Sequence, residues 1–197
     1  MNIISNSCIG GFLMRDYLKE KFNNPFIWSY IDNISFFNLI KNYENINWLN
    51  FELIKDKNWN FCILVDNLVK INYPHYHFEP NANKITFFHD DNQHRNVYYN
   101  KIWEYIVEKY KTRTERMLKI NVKPIFILAS CYDGLNDLHQ YDNIIINKID
   151  NLKTESDIIM VSNNYKFKNK KCYTYKYSKN NIELTNEIYN MNILNFK

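Results

Sequence analysis

The sequence predicts an α/β protein with a mostly parallel central sheet flanked by helices. Short apolar runs rich in β-branched and aromatic residues alternate with helical patterns, and several runs are apolar throughout, as strands buried on both faces are. The hydrophobic fraction of 46% and the aromatic fraction of 17% exclude an intrinsically disordered chain. Because the chain has no repeat and no Gly/Ser/Pro-rich linker, residues 1–197 are expected to form a single domain.

The N-terminal segment has the pattern of a strand, a tight turn and a helix. Residues 2–5 are a short apolar run, and residues 6–8 form the expected turn. Leu13, Met14, Tyr17, Leu18 and Lys21 then recur at helical spacing. A second short helix is predicted at residues 36–43.

The rest of the chain continues the alternation of strands and helices. In order, the further predicted elements are strands at 60–65 and 84–88, a helix at 97–120, strands at 125–129, 157–161 and 172–177, and a helix from residue 182. The tail from residue 166 onward is expected to complete the sheet with antiparallel strands.

Composition and charge argue against several classes of protein. The net charge of +4 is spread along the chain, whereas nucleic-acid binders usually carry a clustered basic stripe, so no nucleic-acid partner is expected. No apolar stretch approaches 18 residues, so no membrane span is expected. The four cysteines form no C-x-x-C pair, and the start lacks a secretory pattern, so a reducing, cytoplasmic location is expected.

Polar, reactive residues follow the first four apolar runs. They are Cys8, then Asp66, then His89 with Asp90, then Asp133. In open α/β sheets, ligands bind beyond the carboxyl ends of the parallel strands. If these runs are parallel and the first and third lie side by side, their polar ends meet at one edge of the sheet.

Cys8 is the candidate nucleophile. It precedes a predicted helix, whose N-terminal amides and dipole favour a thiolate. Gly10 and Gly11 would allow a close approach to substrate and leave amides for an oxyanion, and Ser7 is a candidate substrate contact beside the thiol. The alternative interpretation is a buried structural cysteine in a turn.

His89 is the candidate general base, because the pKa of an imidazole is already close to neutral. Neighbours in an extended segment point to opposite faces, so Asp90 is a catalytic candidate that does not orient His89 directly. Asp66 or Asp133 could orient it instead. The alternative is a turn histidine with a satisfied hydrogen bond.

Two further groups have less specific patterns. Arg113 falls on the apolar stripe of the long predicted helix and could bind a phosphate or carboxylate of a substrate, or form an internal salt bridge. His75 and His77 could face one side of a strand, but two ligands are too few to indicate a metal site, and none is expected. The chain lacks a Walker loop, a G-x-G-x-x-G and a G-x-S-x-G motif.

A series of motifs along the chain resembles a known family. The chain carries, in order, Ile-Ser-Asn-Ser-Cys at 4–8, Asn-Pro-Phe-Ile-Trp at 24–28, Phe-Phe-His-Asp at 87–90, Tyr-Lys-Thr-Arg-Thr-Glu-Arg-Met-Leu at 110–118 and Ile-Phe-Ile-Leu at 125–128. Over roughly residues 3–130 this resembles a domain family of unknown function described as papain-like cysteine peptidases. The start, residues 4–11, is also similar to a related group found in exopolysaccharide loci.

This resemblance implies a Cys nucleophile at Cys8, a His partner at His89 and an acid. The family's Pro-Phe-Asp-Trp motif has Asp where this chain has Ile27, whereas Trp28 keeps the motif's aromatic residue and is a candidate substrate contact. A predicted strand runs directly into Cys8, which is not the papain arrangement. We therefore expect the Cys-His chemistry rather than peptidase activity.

The expected function is acyl transfer by a cysteine nucleophile, in an acyltransferase that acts on a sugar hydroxyl or amine in surface polysaccharide synthesis. The substrate would be a small molecule or glycan, and no cofactor is expected beyond an acyl-CoA donor for a transferase. The first alternative is a papain-like cysteine hydrolase. The second is a non-catalytic carbohydrate- or protein-binding module, which 16 Tyr and 4 Trp would suit.

Overall fold

The computed structural model describes residues 2–19, 23–55, 61–73, 76–79, 84–87, 96–98, 102–129, 143–161, 168–173, 185–186 and 189. In chain order its elements are β1 (Ile3–Ser5), α1 (Ile9–Phe12), a π-helix (Leu13–Leu18), α2 (Asn33–Asn42), a 3₁₀ turn (Tyr43–Asn45), β2 (Phe51–Lys55), β3 (Phe61–Val65), β4 (Val69–Tyr73), β5 (Tyr76–Glu79), β6 (Lys84–Phe87), β7 (Asn96–Tyr98), α3 (Ile102–Leu118), β8 (Ile125–Ala129), α4 (Asn143–Asp150), β9 (Asp157–Val161) and β10 (Lys171–Tyr173).

A parallel sheet with the strand order β1-β8-β9-β10 confirms the predicted α/β class. In its register Ser5 lies opposite Ile127, and Ala129 lies opposite Val161. Phe126, Ile127 and Leu128 are fully buried, as in a strand that is covered on both faces. The described part of the tail corrects one expectation: β10 runs parallel to β9, not antiparallel.

Two antiparallel sheets, β2-β3-β4 and β5-β6-β7, complete the described strands. The apolar runs predicted at 60–65 and 84–88 belong to these sheets, so they are not neighbours of β1 in the parallel sheet. Connection length explains the difference. β3 and β4 are joined by three residues, which suffice for a hairpin, whereas a parallel crossover needs a dozen or more.

The helices follow the sequence pattern with changed boundaries. α2 begins after Asp32, whose Oδ1 accepts the Ser35 backbone N–H at 2.8 Å and caps the helix. α3 is shorter than the predicted helix at 97–120, since residues 96–98 form β7. α4, which packs against α2, lies outside the elements predicted from the sequence.

One apolar cluster joins α2, α3 and α4 to the parallel sheet and to the β2-β3-β4 sheet. Its aromatic members meet edge to face, as Phe36 and Phe126 do at 6.1 Å between ring centroids. Fully burying a side chain of this size contributes about 1.5–3 kcal/mol, so this shared core holds both sheets on the helices. None of the described helices is long and apolar enough to cross a membrane.

Candidate functional site

The Cys8 turn lies at the carboxyl edge of the parallel sheet. The Asn6 N–H donates to the Ile127 carbonyl at 3.2 Å and so extends the β1-β8 ladder by one residue. Two residues later, Cys8 is the N-cap of α1, with φ −61° and ψ −9°. This is the strand, turn and helix that the sequence predicts, at the edge where α/β sheets bind ligands.

Backbone hydrogen bonds hold this turn in place. Gly11 and Phe12 donate their N–H groups to the Cys8 carbonyl at 3.0 and 3.2 Å. The amides of Ile9 and Gly10 precede these bonds and have no intrahelical acceptor, as at any helix start. They are therefore the amides that could receive an oxyanion beside the Cys8 sulfur.

Serine hydroxyls line the strand side of the turn. Ser7 donates its backbone N–H to Ser5 Oγ at 3.3 Å, and the two hydroxyls lie 3.5 Å apart. Both serines are buried, and Cys8 is only 7% exposed. The Cys8 thiol is not in a disulfide bond and has little solvent access.

An apolar cluster lines the helix side. Cys8 packs with Phe12, Met14, Ile27 and Trp28. The Phe12 and Trp28 rings meet edge to face at 4.9 Å between centroids. Cys8 therefore follows directly after the buried Ser7 and packs in an aromatic and aliphatic cluster.

Gly11 and Trp28 fit each other closely. A Cβ on Gly11 would lie 2.6 to 2.8 Å from three indole carbons of Trp28, closer than real carbon contacts allow. Trp28 has φ 60°, in the left-handed region that large side chains rarely adopt. The indole thus covers the helix immediately after Cys8, and only glycine leaves room for it.

The segment that carries Trp28 is fixed at several points. Asn24 Nδ2 donates to the Ile3 carbonyl at 2.8 Å, and the Ile31 N–H donates to the Asn6 carbonyl at 3.0 Å. From α3, Arg113 Nη1 donates to the Ile27 carbonyl at 2.9 Å, and Arg113 is buried. Arg113, which lies on the apolar stripe of α3, thus anchors Ile27, the residue before Trp28.

Arg15 is a residue of this region that the sequence analysis missed. Its Cζ lies 5.2 Å from the Phe12 ring centroid and 5.3 Å from that of Trp28. Nε and Nη2 donate to the two carboxylate oxygens of Asp16 at 2.6 and 2.9 Å, and this hydrogen bonding raises the pKa of Arg15. The i, i+4, i+7 spacing of Cys8, Phe12 and Arg15 was the available signal.

Asp66 has a structural role in the hairpin between β3 and β4. Asp66 and Asn67 have φ values of 51° and 53°, the type I′ arrangement that Asp and Asn tolerate. The Asp66 carboxylate accepts the Asn47 N–H at 3.1 Å and an Asn50 Nδ2 hydrogen at 3.0 Å. Asp66 follows a strand of an antiparallel hairpin and not a strand of the parallel sheet. The expectation that Asp66 and Cys8 lie at one edge of the same sheet is therefore wrong.

The remaining predicted site residues, His89, Asp90 and Asp133, lie outside the described residues. The strand before His89 is β6, which pairs with β5 and β7. The expectation that this run lies beside β1 is therefore wrong. The structure does bring the other predicted site residues into one region around the Cys8 turn, namely Ser7, Cys8, Gly10, Gly11 and Trp28. Arg113 is hydrogen-bonded to Ile27, next to Trp28.

A cavity of about 500 Å³ lies elsewhere on the molecule. Its lining includes Tyr43, Trp48, Met117 and Pro124. Pro124 directly precedes β8, whereas Cys8 follows the carboxyl end of the parallel strand β1. The cavity is thus at the opposite edge of the sheet and cannot receive a substrate of Cys8. Among the described residues, no three His, Cys, Asp or Glu side chains converge to hold a metal ion.

Comparison with known proteins gives a family for the whole chain. No curated protein matches the sequence. A family model described as a domain of unknown function (DUF1919) matches residues 1–196. Since the match spans the strand, turn and helix around Cys8 together with all the described sheets, the chain belongs to this DUF1919 family.

Proposed function

We propose that this protein is an acyl-transfer enzyme that uses Cys8 as its nucleophile and passes the acyl group to a sugar hydroxyl or amine. The observation that carries the proposal is the position of Cys8. The thiol lies at the carboxyl edge of a parallel sheet, at the start of a helical segment, directly after the buried Ser7 and within an aromatic cluster. A parallel sheet binds its ligands at this edge.

The surroundings of Cys8 suit both halves of the reaction. Phe12, Ile27 and Trp28 offer an apolar wall for an acyl chain. Ser5 and Ser7 offer hydroxyl groups for a polar acceptor such as a sugar. The likeness of residues 4–11 to a group from exopolysaccharide loci favours a glycan acceptor, and the papain-like likeness favours a thiol nucleophile.

The proposed reaction has two balanced steps. In the first, a general base, which the resemblance implies is His89, takes the thiol proton, the Cys8 sulfur bonds to the acyl carbonyl carbon, and the leaving group departs with that proton. In the second, the acceptor oxygen or nitrogen attacks the thioester, its proton passes to His89, and the C–S bond breaks to restore the thiol. The amides of Ile9 and Gly10 would hold the oxyanion in both steps.

The test measures acylation of Cys8 directly. The protein is mixed with p-nitrophenyl butyrate or butyryl-CoA, and the Cys8 peptide is weighed by mass spectrometry with and without glucosamine. We expect a butyryl adduct on Cys8 and its transfer to glucosamine. Release of butyrate alone, whether or not the sugar is present, would identify a hydrolase instead.

Matched variants separate chemistry from folding. Cys8→Ser and Cys8→Ala should lose the adduct and at least 100-fold in rate, an estimate of about 3 kcal/mol at the transition state. Cys62→Ala is the control, because Cys62 is also buried and outside any disulfide bond but lies on β3, where Sγ donates to Asn72 Oδ1 at 2.8 Å. Full activity in folded Cys8→Ala would exclude the proposal and leave a binding function as the better interpretation.

A further inference from the structure

Arg15 and Cys8 share one pair of aromatic rings. The guanidinium carbon lies 5.2 Å from the Phe12 ring and 5.3 Å from the Trp28 ring. Both rings also pack in the cluster that contains Cys8. A cation is therefore held on the same aromatic wall that lines the thiol.

The contacts of Arg15 show the direction in which its side chain runs. Cys8 is the N-cap of α1 and Phe12 is the last residue of α1, whereas Arg15 lies in the π-helix that follows. Helical side chains lean toward the N-terminus, so the Arg15 side chain leads back toward Phe12. The two rings that the guanidinium contacts are therefore the same two rings that pack with Cys8.

The Arg15 guanidinium keeps donors for a ligand. Nε and Nη2 donate to Asp16, and among the described residues no acceptor bonds to Nη1. The side chains of Arg15 and Asp16 are 36% and 38% exposed, so solvent or a ligand reaches the pair. Two parallel N–H groups of a guanidinium match the geometry of a carboxylate or phosphate.

We propose that Arg15 binds an anionic group, carboxylate or phosphate, on the acyl substrate whose carbonyl Cys8 attacks. The role as a substrate contact rests on the proposed function, whereas anion binding next to Cys8 does not. Asp16 opposes the same anion by its charge, so the pair sets how strongly the site prefers an anionic over a neutral substrate. Arg15 is thus a specificity residue for the acyl group.

The test compares two thiol reagents of equal length, 6-maleimidohexanoate and its neutral amide. The rate of labelling at the Cys8 peptide is measured for both on the full-length chain, and the ratio of the anionic to the neutral rate is the readout. Arg15→Gln should lower this ratio about tenfold, the size expected for a charged hydrogen-bonded contact. Asp16→Asn should raise it, because the remaining guanidinium charge is no longer neutralised.

Controls and competitors make the outcome decisive. Lys111→Gln removes one charge from an exposed position on α3 and should leave the ratio unchanged. Arg15→Lys keeps the charge without the planar fork, so an intermediate ratio is expected. Hexanoate and hexyl phosphate should both slow labelling of wild type more than hexanol does, and the stronger of the two identifies the anion.

Labelling of Cys8 needs no enzymatic turnover. The anion site at Arg15 and the acyl-transfer function can therefore be contradicted independently of each other. An anionic preference that depends on Arg15, in a protein that forms no acyl adduct on Cys8, supports the anion site and overturns the proposed enzyme. Butyryl transfer with a labelling ratio that neither Arg15→Gln nor Asp16→Asn changes supports the enzyme and overturns the anion site.

Discussion

Gly11 is the residue whose replacement most directly tests the packing beside Cys8. In Gly11→Ala the added Cβ would meet three indole carbons of Trp28 at 2.6 to 2.8 Å. Trp28 is 3% exposed and cannot swing away freely. We expect Gly11→Ala to lower the free energy of unfolding by about 1–3 kcal/mol, the usual cost of overpacking, in urea denaturation.

Gly10→Ala is the matched control for this prediction. A Cβ there meets Ser5 Cβ at 3.4 Å and Ser5 N at 3.8 Å, which are ordinary contacts. Alanine in a helix is favoured over glycine by about 1 kcal/mol, so Gly10→Ala should be neutral or stabilising. Equal destabilisation by both substitutions would mean that Trp28 does not set the requirement for glycine.

At the scale of elements, Arg113 ties α3 to the segment before Trp28. Its Nη1 donates to the Ile27 carbonyl at 2.9 Å, and the side chain is 6% exposed. Lysine cannot reproduce the planar guanidinium, so Arg113→Lys should cost about 1.5–3 kcal/mol in the free energy of unfolding. Backbone amides at residues 29–31 should also exchange hydrogen faster than in wild type.

Arg116→Lys gives the comparison within the same helix. Arg116 is one turn further along α3 and is exposed. The same chemical change there should alter stability by less than about 0.5 kcal/mol. A loss at Arg116 as large as that at Arg113 would show that the Ile27 anchor is not what holds the segment.

For the whole molecule, Tyr30 couples stability to alkaline pH. Its backbone pairs with Asn72 of β4, and its ring is buried. Burial, with a smaller effect from the charge of Asp32, raises the pKa of Tyr30 to about 12. The phenol of the unfolded chain ionises near pH 10. The contribution of the protonated Tyr30 phenol to stability is therefore fully present below pH 10 and is lost progressively between pH 10 and 12.

Tyr30→Phe removes this titration. At pH 11, the wild type should have lost about 1 kcal/mol more than the variant, relative to each protein at pH 8. Urea unfolding of both proteins at the two pH values measures the difference. Parallel losses in the two proteins would mean that the folded and unfolded states ionise Tyr30 alike.

The sequence alone determined the local features around Cys8. Strand, turn and helix follow from an apolar run, polar turn residues and helical spacing, all of which depend on neighbours in the chain. The apolar stripe likewise indicated that Arg113 faces the interior of the molecule. The parallel sheet with its α/β alternation was predictable for the same reason.

Only the tertiary structure decided which strands are partners and which side chains meet across the fold. The apolar runs at 60–65 and 84–88 have the composition of buried parallel strands, yet short hairpin connections make them antiparallel. Gly11 and Trp28 are 17 residues apart, and Arg113 and Ile27 are 86 residues apart. Side-chain periodicity reports only which face of an element is buried, whereas the partner on that face is chosen by long-range packing.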